Sequence, residues 1–391
     1  MRYIPRKLDK VVRQAARDFP AVVITGPRRS GKTTLLRQLY PKAQYVLLED
    51  PDIRGRVLSD PRTFLEELHP PVLLDEIQNA PELLSYVRTL IDAAPRRKGQ
   101  WLFIGSQEAP LMQGISESMA GRAAVLQLLP FSITESPKVN MLYGGFPEVL
   151  VRPKSRALWF ASYLQTYLER DVRAISNIRD LVTFRRFLAI LASRHGQILN
   201  KTDLAAPLGI SVPTISEWLH ILEITNQVII VSPYFENLGK RLIKSPKIYW
   251  SDPGLACYLL GIASQAELQR SPFLGQLFEG FVASEIIKSQ VNQGARKELY
   301  YFRDQQGLEV DFLLPKANAE LWFIECKAGK TVPTAAAPLL SLRRMLENRS
   351  TRLIILHGRS FSAPATRAVA SGVEAIDLEQ FVGELTGGHQ V

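Results

Sequence analysis

The sequence has few cysteines and no long apolar run, and both absences restrict the kind of protein it encodes. Cys257 and Cys326 are the only cysteines, too few for a disulfide framework or a cysteine-based zinc site. No apolar run approaches the roughly 20 residues that a membrane-spanning helix needs. The first ten residues, MRYIPRKLDK, lack the apolar core of a signal peptide. We therefore expect a protein of the reducing cytoplasm with no membrane partner.

The chain is long enough for more than one domain. It has 391 residues, of which 46% are hydrophobic and 22% are charged, values typical of globular proteins. A single hydrophobic core seldom grows beyond about 250–300 residues. Turn-forming residues are concentrated at 136–140 and 261–272, which favours boundaries near these segments. The sequence predicts three domains, with the bounds 1–150, 151–265 and 266–391.

The basic excess is distributed unevenly. The formal net charge is +10, but residues 151–265 contain 14 Lys and Arg against 8 Asp and Glu, and residues 266–391 contain 14 of each. A polyanion such as nucleic acid would therefore bind most readily to the middle segment. A solvated basic surface without such a partner explains the excess equally well.

Five short apolar runs alternate with helical patterns in the first 130 residues. Strands that alternate with helices are typical of a parallel sheet covered on both faces. The fold class predicted for this part of the chain is therefore α/β with a parallel sheet. The apolar runs lie at residues 21–25, 44–48, 71–75, 101–105 and 124–129.

A complete phosphate-binding motif follows the first apolar run. Residues 26–33 read GPRRSGKT and fit the pattern G-x-x-x-x-G-K-[ST] in full. The backbone N–H groups of such a loop, at a helix N-terminus, cradle phosphate oxygens. The lysine reaches the terminal phosphates and the threonine hydroxyl binds magnesium. The sequence predicts a site for ATP and Mg²⁺ formed by Gly26, Pro27, Arg28, Arg29, Ser30, Gly31, Lys32, Thr33 and Thr34.

Two acidic residues end a buried-type strand further along the chain. The segment VLLDE ends in Asp75 and Glu76, and we expect this strand to neighbour the one before the phosphate loop. Asp75 would hold the magnesium ion together with Thr33, and Glu76 would orient and polarise the attacking water. The sequence therefore predicts that ATP is hydrolysed as well as bound, with Lys32 and Glu76 as catalytic residues.

Three further polar residues are candidates for contact with the γ-phosphate. Ser106 and Gln107 follow the fourth apolar run, where ATPases of this layout often carry a polar residue that contacts this group. A capping or turn role fits both residues equally well. Arg122 would supply positive charge to the transferring phosphoryl group, in its own chain or in a neighbouring copy of a homo-oligomer. A surface arginine is the alternative.

The middle of the chain is predicted to be helical and to end in a hairpin. Residues 153–194 have apolar positions at helical spacing. Residues 197–250 have the pattern helix, turn, helix and hairpin, with Gly209 in the turn. Base readout depends on Arg, Lys, Asn and Gln, but the second helix, VPTISEWLHILE, contains no Lys or Arg. The hairpin is better equipped for phosphate contacts without sequence preference. A packing module between the flanking domains is the alternative. The basic residues of the hairpin are Lys240, Arg241, Lys244 and Lys247.

Carboxylates and a lysine recur on two predicted strands near the C-terminus. Asp311 lies in LEVDFL, and Glu325 and Lys327 lie in FIECK. Alternation along a strand puts Glu325 and Lys327 on one face, and pairing of the strands would bring Asp311 and Glu325 to one divalent cation, Mg²⁺ or Mn²⁺. Glu279, in the helix FEGFVASEII, would add a third carboxylate. Such a set is typical of metal-assisted phosphodiester hydrolysis, in which Lys327 steadies the nucleophile or the transition state.

The order of these motifs resembles a known family. The segments GPRRSGKTT, VLLDEIQNAPEL, FIGSQ, GRAAVLQLLPFS and GGFPEVL look like those of AAA-plus-type ATPases of bacteria and archaea that carry a C-terminal domain of unknown function. YYFRDQQGLEVDFLL and WFIECKAG resemble that domain. The resemblance implies a winged-helix domain in the middle. The D…E-x-K spacing resembles the PD-(D/E)-x-K nuclease fold, which implies an α/β nuclease-like C-terminal domain.

Three functions fit these observations. The first is an ATP-driven switch or motor coupled to a nuclease-like domain that cuts or binds nucleic acid. The second is a regulatory or signalling ATPase whose C-terminal domain is catalytically inactive and binds a partner. The third is a DNA-binding regulator in which ATP tunes affinity. Metal-dependent cutting distinguishes the first from the second, and salt-dependent, sequence-selective DNA binding identifies the third.

Overall fold

The structure, a computed structural model, describes residues 3–105, 118–168, 181–234, 244–329, 333–346, 349–358 and 368–387. The chain forms two compact units. The first comprises residues 1–131 with 224–226 and 291–295, and the second comprises residues 132–223, 227–290 and 296–391. The division into three domains stays a prediction. No described helix is both long and apolar enough to cross a membrane.

The first unit is built around a five-stranded parallel sheet. Its strands are β1 (Ala21–Thr25), β2 (Gln44–Leu47), β3 (Val72–Asp75), β4 (Trp101–Ile104) and β5 (Ala123–Gln127). The spatial order is β2-β3-β4-β1-β5, and each neighbouring pair is parallel. The predicted parallel α/β fold is confirmed. One expectation is wrong: β4 lies between β1 and β3, so the acidic strand is not the neighbour of the strand before the phosphate loop.

Helices cover both faces of this sheet. Val22 and Ile24 of β1 pack with Leu35 on one face, while Val23 packs with Val87 on the other. All five residues of β1 are buried, which explains the uninterrupted apolar run of a strand covered on both sides. The described helices of this unit are α1 (Asp9–Asp18), α2 (Lys32–Leu39), α3 (Pro51–Ser59), α4 (Pro61–Glu66) and α5 (Leu83–Ala93).

The second unit begins with helices that include a helix-turn-helix. Gly209 lies in its turn with φ 65°, a left-handed conformation that glycine adopts without steric cost. Phe184 and Phe187 pack against Trp218, with ring centroids 5.1 and 5.2 Å from the indole. The helices of this segment are α6 (Pro147–Val151), α7 (Arg156–Tyr163), α8 (Leu181–Ser193), α9 (Lys201–Ala205) and α10 (Val212–Ile224).

A nine-stranded mixed sheet runs through the remainder of the second unit. Its strands are β6 (Gln197–Ile198), β7 (Val228–Pro233), β8 (Lys247–Trp250), β9 (Tyr300–Arg303), β10 (Glu309–Pro315), β11 (Leu321–Lys327), β12 (Thr351–His357), β13 (Ala368–Ala370) and β14 (Val373–Asp377). The spatial order is β13-β14-β12-β11-β10-β9-β7-β8-β6. The hairpin β7–β8 joins this sheet because β7 pairs with β9 in parallel, with Ser232 opposite Tyr300. The segments predicted as the second and third domains therefore share one sheet.

Further helices pack on this sheet or beside it. The long helix predicted from residue 273 onward is α13, and its Gly280 lies against the imidazole of His195: a Cβ there would be 2.0 Å from Nε2. Leu339 of α14 packs with Phe323 and Leu353 of the sheet. The described helices are α11 (Pro253–Leu259), α12 (Gln265–Arg270), α13 (Leu274–Asn292), α14 (Ala337–Met345) and α15 (Leu378–Gly387).

Candidate nucleotide site and carboxylate cluster

The phosphate loop begins where β1 ends and leads directly into α2. Gly26 and Gly31 have φ angles of 132° and 98°, which side chains with a Cβ rarely adopt. Gly26 also lies so close to the segment after β5 that a Cβ would be 2.2 Å from the carbonyl oxygen of Leu128. The two glycines of the motif are therefore required by the backbone path of the loop.

Lys32 lies buried within this loop. Its Nζ donates hydrogen bonds to the carbonyl oxygens of Gly26 and Pro27, both at 2.9 Å. The hydroxyl of Ser30 is fully buried and has no hydrogen-bond partner in the described part of the chain. A buried hydroxyl without a partner and a nearby ammonium fit the requirements of a phosphate group. Of the other loop residues predicted to bind ATP, Pro27 is buried, whereas Arg29 and Thr34 are exposed.

Asp75 meets the first turn of α2 across the intervening strand. The hydroxyl of Thr33 donates to Asp75 Oδ2 at 2.8 Å, and the Tyr45 hydroxyl donates to the same oxygen at 3.0 Å. Burial raises the pKa of Asp75, while the hydrogen bonds from Thr33 and Tyr45 act in the opposite direction. A hydroxyl and a carboxylate side by side are hard oxygen donors of the kind Mg²⁺ prefers. The two residues predicted to hold magnesium therefore lie together, with chemistry that fits the ion.

Glu76 connects the acidic strand to the phosphate loop. Its backbone is left-handed, with φ 57°, a strained conformation that occurs frequently at functional sites. One carboxylate oxygen lies 3.5 Å from Nη1 of Arg28, and the other accepts a hydrogen bond from Gln78. Arg28 belongs to the phosphate loop, so the carboxylate predicted to act on water is held beside the place predicted for the terminal phosphates.

Arg122 lies at the other end of the sheet. Its carbonyl oxygen accepts a hydrogen bond from Ala21 N at the start of β1, whereas the phosphate loop follows Thr25 at the end of that strand, about 13 Å away. The guanidinium is bound to Asp92 through Nε at 2.6 Å and Nη2 at 2.9 Å. The expectation that Arg122 acts on the phosphate of its own chain is therefore corrected, and a role in a neighbouring copy stays a prediction. Ser106 and Gln107 lie outside the described residues.

A lysine predicted only as a phosphate contact of the hairpin lies among the C-terminal carboxylates. Lys247 of β8 is 2% exposed, and its Nζ lies 2.6 Å from Glu309, 2.8 Å from Glu279 and 3.8 Å from Asp311. Burial opposes its charge, but the carboxylates around it prevail and raise the pKa of the ammonium. The hydroxyl of Tyr249 also donates to Glu279. We call Lys247 with Glu279, Glu309 and Asp311 the carboxylate cluster.

The predicted metal site is therefore corrected. The cation was expected between Asp311 and Glu325, with Glu279 as a third ligand. Glu279 and Asp311 do converge, but the ammonium of Lys247 lies between them. Burial, with the neighbouring Asp311, raises the pKa of Glu279 to about 8, and burial also raises the pKa of Asp311. Among the described residues, no three acidic, histidine or cysteine side chains are arranged to hold a metal ion. The chain itself supplies positive charge to this cluster, from Lys247 and from Arg303 beside Glu309.

Glu325 and Lys327 lie beside the cluster on β11. Lys327 Nζ donates to Glu325 Oε1 at 2.7 Å, and Asp311 Oδ2 accepts the backbone N–H of Cys326 at 2.8 Å. Burial raises the pKa of Glu325 to about 7, with a further contribution from Asp311. The second oxygen of Glu325 is buried and has no hydrogen-bond partner in the described ranges. Glu325 and Lys327 therefore form a pair, and Asp311 is held by the backbone of the same strand.

The basic hairpin is only partly described. Lys240 and Arg241 lie outside the described residues, and Lys244 is exposed. Lys247 is buried, and therefore its expected role in binding phosphates is wrong. Its side chain is directed into the carboxylate cluster because β8 lies in the same sheet as β10.

Sequence reasoning missed Arg6, Tyr45 and the place of Lys247 in the carboxylate cluster. Lys247 had a weak local signal, because a lysine in the otherwise apolar strand KIYW must find a buried partner or leave the sheet. Tyr45 alternates with the buried Val46 on an edge strand, and nothing local pairs it with Asp75. Arg6 precedes α1 in a turn, and no motif connects it to the phosphate loop, although its guanidinium donates to the carbonyl of Ser30 at 2.9 Å.

These features define the class of protein. Residues 18–136 match the model of the AAA domain, in agreement with the phosphate loop, the acidic strand end and the parallel sheet, so the first unit is a P-loop ATPase domain. Residues 135–266 and 274–379 match two domains of unknown function, DUF8612 and DUF4143.

Two mycobacterial proteins are similar to nearly the whole chain. They are the uncharacterized proteins Mb2031c of Mycobacterium bovis and Rv2008c of Mycobacterium tuberculosis, each 34% identical over 367 residues, or 92% of this chain and 81% of theirs. The chain belongs to the family of these proteins.

Solved structures are more distant. The Walker-type ATPase Paby2304 of Pyrococcus abyssi is 18% identical, with a TM-score of 0.41 over 65% of this chain and 94% of that chain. A RuvB variant of Thermotoga maritima is 17% identical, with a TM-score of 0.28 over 57% of this chain and 87% of that chain.

Proposed function

We propose that this protein is a magnesium-dependent ATPase that acts as a switch for a C-terminal region that binds a partner without cutting it. The hydrogen bond of 2.8 Å between the hydroxyl of Thr33 and the carboxylate of Asp75 carries the first half of this proposal. It joins the end of the phosphate loop to the acidic strand, and it brings the two predicted magnesium ligands together although 42 residues separate them along the chain.

The side chains have distinct roles in this reaction. Lys32 moves from the carbonyls of Gly26 and Pro27 to the terminal phosphates of ATP. Thr33 and Asp75 hold the magnesium ion, which screens the phosphate charges when bound. Glu76 orients the water whose oxygen bonds to the γ-phosphorus and accepts its proton, while the bond to the bridging oxygen breaks and ADP leaves with the electron pair.

Replacement of Glu76 by glutamine tests this assignment. Glu76→Gln retains the size of the side chain but not its basicity, so ATP binding is expected to persist while kcat falls by about 100-fold or more. Phosphate release and binding of a fluorescent ATP analogue are measured on the same preparations. Glu66→Gln, an exposed carboxylate on α4, is the matched control and should retain the wild-type rate. Wild-type turnover in Glu76→Gln would overturn the role of Glu76.

The second half of the proposal is supported by the carboxylate cluster. The predicted metal-dependent cleavage needs a divalent cation at Asp311 and Glu325, with Glu279 as a third ligand. The ammonium of Lys247 already lies beside Asp311 and Glu279. Removing a buried lysine from three carboxylates is costly, so the nuclease-like region is proposed to serve as a binding platform. Its partner includes nucleic acid only if the basic hairpin provides the contacts.

Incubation with nucleic acid tests the absence of cleavage. Purified wild-type protein is mixed with single- and double-stranded DNA and RNA, with Mg²⁺ or Mn²⁺, in the presence and absence of ATP. Intact substrates are expected in every reaction. Cleavage that requires Mn²⁺ and disappears in Asp311→Ala would reject the binding platform and restore the nuclease function.

A further inference from the structure

An arginine outside every recognised motif is fixed against the phosphate loop. Arg6 is only 6% exposed. Its Nη1 donates to the carbonyl oxygen of Ser30 at 2.9 Å, and its Nη2 donates to the carbonyl oxygen of Leu129 at 2.5 Å. The guanidinium carbon lies 4.3 Å from the centre of the Phe131 ring. Residues far apart in the chain therefore meet at one buried side chain.

The contact with Ser30 determines the orientation of one peptide group. In a planar trans peptide, the carbonyl of Ser30 and the N–H of Gly31 point in opposite directions. Because the guanidinium holds the carbonyl toward Arg6, the N–H of Gly31 is directed away from it. N–H groups of a phosphate loop bind the anion with that side of the peptide. Gly31 has φ 98° and no Cβ to restrict rotation of this peptide, so an external hold is needed.

The contact with Leu129 connects Arg6, and through it the phosphate loop, to the segment after β5. Gly26, at the start of the loop, packs against the carbonyl of Leu128, and Ser30, near its end, is connected through Arg6 to Leu129. Both ends of the loop are therefore held by the same short segment after β5. A loop that is ordered before its ligand arrives loses less conformational entropy on binding.

We propose that Arg6 is a positioning residue of the nucleotide site, which holds the Ser30–Gly31 peptide so that its N–H group is presented to a phosphate of ATP. This role rests on the proposed function, since it presumes that the loop binds ATP. Arg6 acts through the backbone and does not contact the nucleotide. Arginine is required because its planar fork binds two carbonyls at once, which a lysine ammonium on a flexible stem does less well.

The test compares nucleotide affinity with stability in Arg6→Ala and Arg6→Lys. The dissociation constant of a fluorescent ATP analogue with Mg²⁺ is expected to rise about tenfold or more in Arg6→Ala and by a smaller factor in Arg6→Lys. KM for ATP should rise more than kcat falls, because the loop holds substrate and transition state alike. Millimolar guanidinium chloride should restore part of the affinity of Arg6→Ala. Arg13→Ala, an exposed arginine on α1, is the control.

The outcomes separate this inference from the proposed function. A wild-type protein that binds no nucleotide sinks the proposed function itself. A wild type that binds ATP, together with an Arg6→Ala variant of equal affinity, overturns only the role of Arg6. If the affinity of Arg6→Ala and Arg6→Lys falls in parallel with the melting temperature, and guanidinium restores nothing, Arg6 serves folding alone and the inference is likewise overturned.

Discussion

Two buried lysines occupy the centres of the two candidate sites, and their partners differ in charge. Lys32 donates to the main-chain carbonyls of Gly26 and Pro27, which are neutral dipoles. Lys247 lies among Glu279, Glu309 and Asp311, which are acids. An ammonium is attracted more strongly by a charge than by a dipole, especially where burial reduces screening by solvent. The contacts of Lys32 with these two carbonyls are therefore weaker than the contacts of Lys247 with the carboxylates.

This difference explains why similar residue types give two kinds of site. In the phosphate loop, backbone N–H groups and an ammonium leave a place for a negatively charged ligand. In the carboxylate cluster, several acids gather around a position that needs a positive charge, and the protein supplies that charge itself. The first arrangement has the chemistry of an anion-binding site, and the second is a network of ion pairs within the chain.

The largest expected effect follows from removing the ammonium of Lys247 from the carboxylate cluster. Lys247→Met retains the length of the stem but removes the ammonium from the three carboxylates, while Arg303 stays beside Glu309, so the free energy of unfolding should fall by about 3–5 kcal/mol. Urea denaturation monitored by circular dichroism measures this change. Lys244→Met is the matched control, because Lys244 is exposed on the same segment and its loss should cost less than about 0.5 kcal/mol. Equal stability of the two variants would contradict the ion pair.

A metal titration sharpens the same prediction. In Lys247→Ala, the shorter side chain leaves space for a cation between Glu279 and Asp311. Mn²⁺ is expected to raise the melting temperature of this variant but not that of the wild type, since a ligand stabilises only the state that binds it. Equal stabilisation of wild type and variant would mean that the ion binds elsewhere and that Lys247 does not occupy a cation position.

The next effect concerns Lys32 of the phosphate loop. Lys32→Met removes the charge that meets the phosphates, so the affinity for MgATP should fall by about 100-fold, or about 2.7 kcal/mol of binding free energy. The free energy of unfolding should change by no more than about 1 kcal/mol, because water can satisfy the carbonyls of Gly26 and Pro27. Calorimetric titration and urea denaturation measure the two quantities. A stability loss as large as that of Lys247→Met would show that both lysines are structural.

The features of the molecule differ in how far the sequence predicts them. The parallel strands are visible as apolar runs, and the phosphate loop is visible because its residues are contiguous. Asp75 and Glu76 are predicted from their place at the end of a buried strand. Arg6 and Lys247 could not be placed in this way. Lys247 reaches Asp311 because β7 pairs with β9, a contact between residues 232 and 300 that leaves no local pattern.

His195 is a third buried ionisable side chain, and unlike the two lysines it is buried without a charge. His195 is 1% exposed, and its Nδ1 accepts the backbone N–H of Trp250 at 3.0 Å, which requires the neutral form of that nitrogen. Its ring packs edge-on against Tyr249, with centroids 5.6 Å apart. Burial lowers the pKa of His195 to about 3. Lys32 and Lys247 are buried with polar partners, whereas His195 is buried by giving up its proton.

The smallest predicted effect follows from this neutral histidine. Because the folded pKa lies below the ordinary value of about 6.5, the unfolded chain takes up a proton between pH 6.5 and about 3 and the folded chain does not. The contribution of His195 to stability is therefore fully present above pH 6.5 and falls by about 1.4 kcal/mol per pH unit below it, or about 2 kcal/mol by pH 5. Carboxyls with raised pKa values, such as Glu279 and Glu325, act in the opposite direction, so the wild type alone cannot isolate the effect.

His195→Gln retains an acceptor for Trp250 and does not titrate. The difference in unfolding free energy between wild type and His195→Gln, measured in urea at pH 7, 6 and 5, should shift in favour of the variant as the pH falls. His220→Gln, which replaces an exposed histidine on α10, is the control for loss of an imidazole outside the core. A difference for His195→Gln that is constant with pH would mean that the folded protein accommodates the charged imidazole, and that this side chain is not buried by neutralisation.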